Sequence, residues 1–279
     1  MSRFRITVAY DGTDFVGWQR QAAGVSIQGL LEDALAELDE AGVTVLGAGR
    51  TDAGVHALGQ VAAFTLTRTI AADVVVRALN VRLPLSVRVL AAEEVPADFH
   101  PQFAATSKTY RYRIWNSDVV SPFERLYACH VFGALDAAAM NEAARMLEGT
   151  HDFAAFQGTG SDVKTTERTI ASSLVLPPSL KLRRTAVAQS AEAGRQAQDE
   201  RKETPLVVSL SNHEPLITYE VTGSGFLRHM VRAIVGTLVE IGRGRRPPEW
   251  IREVVASRSR SAAGVTAPAA GLFLLRVDY

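Results

Sequence analysis

The chain has 279 residues, of which 47% are hydrophobic and 22% charged, a composition typical of a globular protein with a substantial core. Its 30 basic and 30 acidic residues balance, so the overall charge gives no sign of a polyanionic partner. The single cysteine, Cys129, excludes an intrachain disulfide and favours a reducing compartment. No apolar run approaches the roughly 20 residues of a membrane span, so we expect a cytoplasmic protein of one or two domains.

The first part of the chain predicts six elements in the order β-α-β-β-α-β. In chain order they are a strand over 3–10, a helix from the N-cap Ser26 to about residue 40, strands over 43–46 and 60–66, a helix over 71–81 and a strand over 86–92. This order is that of a ferredoxin-like unit. A connector with Pro96 and Pro101 follows, and we predict a first lobe over residues 1–104.

The second part repeats this order with one additional helix. We expect strands over 107–115, 168–177, 216–221 and 271–277, a helix from the cap Asp136 to Leu147, an apolar helix whose core positions run from Leu227 to Leu238, and a short helix after Pro247 and Pro248. The sequence therefore predicts an α+β fold of two ferredoxin-like lobes, 1–104 and 105–279. Their mostly antiparallel sheets would lie side by side, with an active-site cleft between the lobes.

Residues 178–205 interrupt the second lobe with a polar, highly charged composition that contains almost no apolar residues. Such a composition is typical of exposed and disordered segments, and we predict an insertion between two hairpin strands. A basic flap that touches RNA is the functional alternative, but the acidic residues of the segment nearly balance its basic ones.

The stretch with the strongest chemical signal is the glycine-rich loop, residues 47–57, between two predicted strands. Its single carboxylate, Asp52, follows Arg50 by two residues, and a cation nearby keeps a carboxylate ionised and available as a nucleophile or base. The structural alternative is that Asp52 is a turn residue whose side chain hydrogen-bonds its own backbone. The dinucleotide fingerprint fails because Asp52 occupies its third glycine position, and no Gly-Lys-Ser/Thr follows as in a P-loop.

The string RTDAGVH at 50–56 resembles the catalytic loop of the TruA family of tRNA pseudouridine synthases. Three further stretches are similar to motifs of the same family and occur in the same order. They are YDG with GWQRQ within 10–21, YRY at 110–112 and FLRHMVR at 226–232. The resemblance covers about 1–176 and 214–279, whereas the long segment at 178–205 departs from compact family members.

The resemblance implies isomerisation of uridine to pseudouridine in the anticodon stem-loop of tRNA, at positions 38, 39 and 40. The base would be detached from ribose C1′ at N1, turned, and rejoined through C5, with no metal, redox cofactor or nucleotide. The residues agree, since the six histidines lack metal-ligand spacing. The resemblance also implies a homodimer with tRNA lying across both subunits.

The resemblance assigns roles to five residues. Asp52 is the catalytic carboxylate, which either attacks C1′ or removes the 2′-proton, and Arg232 pairs with it. Arg50 stabilises the flipped nucleotide or its phosphates, Tyr110 stacks on uracil and relays the C5 proton, and Leu272 closes the pocket against water. From the residues alone, Tyr110 is an ordinary core-facing aromatic and Arg232 an ordinary solvated arginine.

Two other functions fit the same sequence. Paired ferredoxin-like units are common RNA platforms, so a non-catalytic RNA-binding protein is one alternative. A glycosidase-type hydrolase that releases uracil is the other, although glycosidases normally need a pair of carboxylates.

Overall fold

The computed structural model describes residues 1–39, 42–160, 163–178 and 215–279. The predicted insertion at 178–205 lies outside the described residues except at its first position, and the possible hairpin extension at 206–211 lies outside them entirely. The described residues form ten strands and five α-helices, which confirms the α+β class.

The elements fall close to the predicted ranges. The helices are α1 Ile27–Ala36, α2 Ala72–Arg82, α3 Ala137–Arg145, α4 Met230–Gly242 and α5 Trp250–Ser257. The strands are β1 Ser2–Tyr10, β2 Leu46–Gly47, β3 His56–Leu66, β4 Val87–Val95, β5 Ser107–Asn116, β6 Cys129–Val131, β7 Gly149–Asp152, β8 Glu167–Leu176, β9 Leu216–Gly223 and β10 Leu272–Asp278.

All ten strands belong to one sheet, in which the main path runs β4-β1-β3-β10-β5-β9-β8-β7. The short strands β2 and β6 pair with β3 and β5. The closing strand β10 joins the two parts, because it runs parallel to β3 and antiparallel to β5. The strands predicted for two lobes are thus connected edge to edge, and the start of β3 lies beside the start of β10.

Several predicted boundaries were wrong by a few residues. Helix α1 ends at Ala36, and the strand expected over 43–46 is reduced to Leu46–Gly47, which alone pair with β3. Helix α4 begins at Met230, so Leu227, predicted as its first core position, precedes the helix. The sequence analysis does not predict strands β6 and β7, because segments of three or four residues are too short to show an alternating pattern of apolar and polar residues.

The alternating pattern of β5 places Tyr110, Tyr112 and Ile114 on one buried face, as predicted. Helix α4 packs against that side of the sheet and against α3. A Cβ at Gly236 would lie 1.6 Å from the carbonyl oxygen of Val265, so only glycine lets the segment before β10 cross α4 this closely. That crossing brings the segment before β10 next to the first turn of α4, where Arg232 lies.

Candidate active site

The glycine-rich loop is fixed by close backbone contact with the segment that follows β1. Gly17 has a φ of +107°, and a Cβ there would lie 2.6 Å from the carbonyl oxygen of Thr51, which accepts a hydrogen bond from the Trp18 amide at 3.0 Å. A Cβ at Gly12 would lie 2.0 Å from the carbonyl oxygen of Val55. Both glycines let the two segments touch, and any side chain would displace the loop.

Buried polar side chains hold the glycine-rich loop in place through hydrogen bonds. The Tyr10 hydroxyl lies 2.8 Å from Thr51 Oγ1, and Gln60 Nε2 donates to the Gly49 carbonyl at 2.9 Å and to the Tyr10 hydroxyl at 3.4 Å. Burial raises the pKa of Tyr10 to about 12, so the phenol keeps its proton. This network holds the residue immediately before Asp52.

Asp52 and Arg232 lie 180 positions apart in the chain and form the predicted ion pair. Arg232 Nη1 donates to Asp52 Oδ2 at 3.1 Å, and the two side chains are 16% and 30% exposed. Arg232 Nε donates to the carbonyl of Ala267 at 2.7 Å, and the Ala267 amide donates back to the Arg232 carbonyl at 3.1 Å. The guanidinium is therefore held at two points and presents a fixed positive charge to one carboxylate oxygen.

His229, to which the sequence analysis assigns no role, is a second neighbour of the carboxylate. Its Nε2 lies 3.5 Å from the same Oδ2 of Asp52. The backbone of His229 has a φ of 61°, in the left-handed region, directly before α4. Burial lowers the pKa of this imidazole and Arg232 adds to that effect, while Asp52 opposes it. The motif string contained this histidine, but its backbone conformation leaves no signal in a sequence.

Tyr110 lies close enough to Asp52 for the charge of the carboxylate to affect its pKa. It is 8% exposed, and its ring meets that of Phe226 edge-on, with 5.1 Å between centroids. Burial raises the pKa of Tyr110, and the neighbouring Tyr10 and Asp52 raise it further. The phenol therefore keeps its proton at neutral pH.

Leu272 begins β10 and is 6% exposed, opposite Tyr112 on β5. The preceding Gly271 packs flat on Tyr112, since a Cβ there would lie 2.7 Å from the ring. The Tyr112 hydroxyl donates to the carbonyl of Pro268 at 2.8 Å. These contacts fix the turn that leads into Leu272, on the strand adjacent to that of Tyr110.

Arg50 does not join the cluster as its position in the loop suggested. Its side chain is exposed and forms no hydrogen bond or ion pair with any residue that the structure describes. The carboxylate is paired from across the fold by Arg232, while Arg50, which has no partner among the described residues, is exposed on the same loop.

The far end of the loop is secured by His56, which is 1% exposed. Its Nδ1 accepts from the Gly12 amide at 3.1 Å and lies 3.1 Å from Asp11 Oδ1, and its Nε2 lies 3.1 Å from the carbonyls of Leu126 and Ala270. Burial lowers the pKa of this imidazole, although its polar neighbours oppose the effect. The side chain of His56 thus connects its own strand to three other segments of the chain.

Two hollows among the described residues have volumes of about 310 and 280 Å³, and the lining of neither includes Asp52. In the described ranges no three His, Cys, Asp or Glu side chains gather as metal ligands would. Among the same residues, no helix is long and apolar enough to cross a bilayer.

A partly exposed carboxylate, fixed by an arginine on a tightly held loop, is compatible with catalysis by a single acid. The family described as tRNA pseudouridine synthase matches residues 6–104 and 143–279, and the chain belongs to that family. It is therefore an isomerase that converts uridine to pseudouridine in tRNA. Tyr110 lies outside the matched ranges, whereas Asp52, Arg232 and Leu272 lie inside them.

Relatives that match along the whole chain carry the same family name. Proteins called tRNA pseudouridine synthase A from Syntrophotalea carbinolica and Solibacter usitatus are 40% and 42% identical to it. Both alignments cover all of this chain, with 97% and 100% of the respective relative. The protein of that name from Myxococcus xanthus is 42% identical over all of this chain and 92% of its own length.

Proposed function

We propose that Asp52 is the catalytic carboxylate of this tRNA uridine isomerase and that its target uridines lie in the anticodon stem-loop, at positions 38, 39 and 40. The observation that carries the assignment is the 3.1 Å ion pair between Asp52 and Arg232, which fixes a carboxylate whose side chain is still 30% exposed. The resemblance of the RTDAGVH string at 50–56 to the family's catalytic loop supports it.

The reaction breaks the N1–C1′ bond and forms a C5–C1′ bond, and the proton on C5 is replaced by one on N1. Arg232 occupies Oδ2 of Asp52, and no described residue bonds Oδ1. Oδ1 is thus the oxygen that attacks C1′ or removes the 2′-proton. Deuterium at C2′ of the target uridine separates these routes, because only proton removal in a rate-limiting step gives a primary isotope effect.

The other site residues act on the flipped uridine. Tyr110 contacts the uracil ring, and its raised pKa favours contact through the ring over service as a proton-accepting phenolate. Leu272 excludes water from the detached sugar, consistent with its burial at the start of β10. Arg50, exposed and unpaired among the described residues, contacts RNA phosphate.

The architecture supports a two-lobed arrangement. The strand orders β4-β1-β3-β2 and β10-β5-β9-β8 both follow the fourth-first-third-second order of a ferredoxin-like unit. We assign the lobes to 1–104 and 105–279, with the site where β3 and β10 meet. The active form is a homodimer in the cytoplasm with tRNA lying across both subunits, as the family resemblance suggests.

The test is Asp52→Asn, which keeps the side-chain volume and removes the charge. We expect pseudouridine at positions 38–40, mapped by chemical derivatisation, to disappear while tRNA binding changes little. Asp14→Asn is the matched control, because Asp14 is an exposed aspartate after β1. Wild-type modification by purified Asp52→Asn protein would refute the assignment.

A further inference from the structure

His229 combines two observations that the reaction as described does not use. Only two residues other than glycine have positive φ among the described residues, His229 at 61° and Arg258 at 52°. Left-handed backbone is costly for residues with a side chain, and such residues collect where the surroundings hold them for a functional reason. Of the two, only His229 contacts Asp52.

The ring of His229 is confined on the side away from Asp52. A Cβ at Gly158 would lie 2.6 Å from its Nδ1, so only glycine at that position leaves room for the imidazole. The Gly158 amide donates to the carbonyl of Arg228 at 2.8 Å, which fixes this wall against the residue before His229. The left-handed backbone and the glycine wall together direct Nε2 toward Asp52.

We propose that His229 is a positioning residue for Asp52, and that with Arg232 it confines Oδ2 and leaves Oδ1 turned to the substrate. The 3.5 Å separation is too long for a strong hydrogen bond, so the ring acts through its bulk and its dipole. The inference rests on the proposed role of Asp52.

The charges around His229 give the proposal a pH signature. Asp52 faces it from the glycine-rich loop, Arg232 from α4, Arg228 from the preceding residue and Arg260 from the segment after α5. Burial and the three arginines lower the pKa of His229, so the ring is neutral at pH 7. Protonation at lower pH places a second cation beside Asp52 and makes its carboxylate a weaker base and nucleophile.

The decisive variant is His229→Gly, which relieves the backbone strain and deletes the ring. We expect an unchanged or higher Tm, a 10- to 100-fold lower single-turnover rate at saturating tRNA, a change in tRNA Kd of less than threefold, and partial rescue by added imidazole. We expect the wild-type rate to fall between pH 7 and pH 5, and the rate of His229→Gly to fall less over the same range. Arg258→Gly is the matched control, since it relieves the other left-handed residue without touching Asp52, and its rate stays at the wild-type level.

Three outcomes overturn the proposal. They are a rate within twofold of wild type, a loss that lies entirely in tRNA Kd, and a loss of rate that follows a fall in Tm. If Asp52→Asn is inactive and His229→Gly is fully active, only this inference fails. If Asp52→Asn keeps its activity, the proposed function fails first.

Discussion

Two histidines fix the glycine-rich loop, His56 within it and His229 beside its Asp52, and their surroundings differ sharply. His56 is 1% exposed, and both ring nitrogens have polar partners. His229 has a side chain that is 27% exposed, a left-handed backbone and the Asp52 carboxylate as its neighbour. The ring of His56 is buried and both of its nitrogens have hydrogen-bond partners, so this residue fixes the position of the loop. The side chains of His229 and Arg232 are partly exposed and lie against a charged group, so these residues determine how Asp52 faces the substrate.

Replacing Arg232 by Met should have the largest effect on the reaction rate, because it removes the charge that holds Asp52. We expect the single-turnover rate to fall about a hundredfold, or about 2.7 kcal/mol. We expect a smaller loss of stability as well, because the carbonyl of Ala267 also loses its donor. Arg232→Lys should lose less, since it keeps the charge but lacks the fork that reaches both Asp52 and Ala267.

Arg228→Met supplies the control for that variant. Arg228 is exposed, and its guanidinium donates to the carbonyls of Thr159 and Gly160 rather than to Asp52. Its loss should lower the rate less than threefold. Equal losses in the two variants would mean that the Asp52–Arg232 pair has no special role.

Replacing His56 by Leu should mainly destabilise the protein. The Gly12 amide and the carbonyls of Leu126 and Ala270 lose a buried partner, and the free energy of unfolding should fall by about 2–4 kcal/mol. Urea denaturation measures this change. Leu58→Ala is the control, because Leu58 lies on the same strand but is 51% exposed. An equally large fall in the free energy of unfolding of Leu58→Ala would contradict the structural role of His56.

Much of the sheet was predictable because alternation and helical spacing are local. The face shared by Tyr110 and Tyr112 and the apolar face of α4 follow from short windows of sequence. The Asp52–Arg232 pair was predictable only through motifs, since no local rule joins residues 180 positions apart.

The rest depends on contacts that leave no local pattern. The partners of His56 come from three segments distant in sequence, and the left-handed φ of His229 is imposed by the contacts around it. Arg50 shows the opposite case, since nearness in sequence to Asp52 suggested a pairing that the fold does not make. Short strands such as β6 are similarly set by the neighbour they pair with.

Stability should also depend on pH through the two histidines. Their pKa values are lowered on folding, so the unfolded chain binds more protons once the pH falls through the ordinary histidine value of about 6.5. The free energy of unfolding should therefore fall between pH 7 and pH 5, with a contribution of at most about 1.4 kcal/mol per pH unit from each histidine. His56→Leu should make this slope shallower, and an unchanged slope would mean that folding does not lower the pKa of His56.

Tyr10→Phe should have the smallest effect, because it removes one hydroxyl from the support beneath the loop. The hydrogen bond to Thr51 is buried, so the free energy of unfolding should fall by about 1 kcal/mol. Tyr219→Phe is matched to it, since its hydroxyl lies 3.0 Å from that of Ser173 in another part of the core. Both variants should lose similar stability, but only Tyr10→Phe should slow the reaction, because only Thr51 adjoins Asp52. Equal rates in both variants would mean that the support beneath the loop stabilises the fold without aligning the carboxylate.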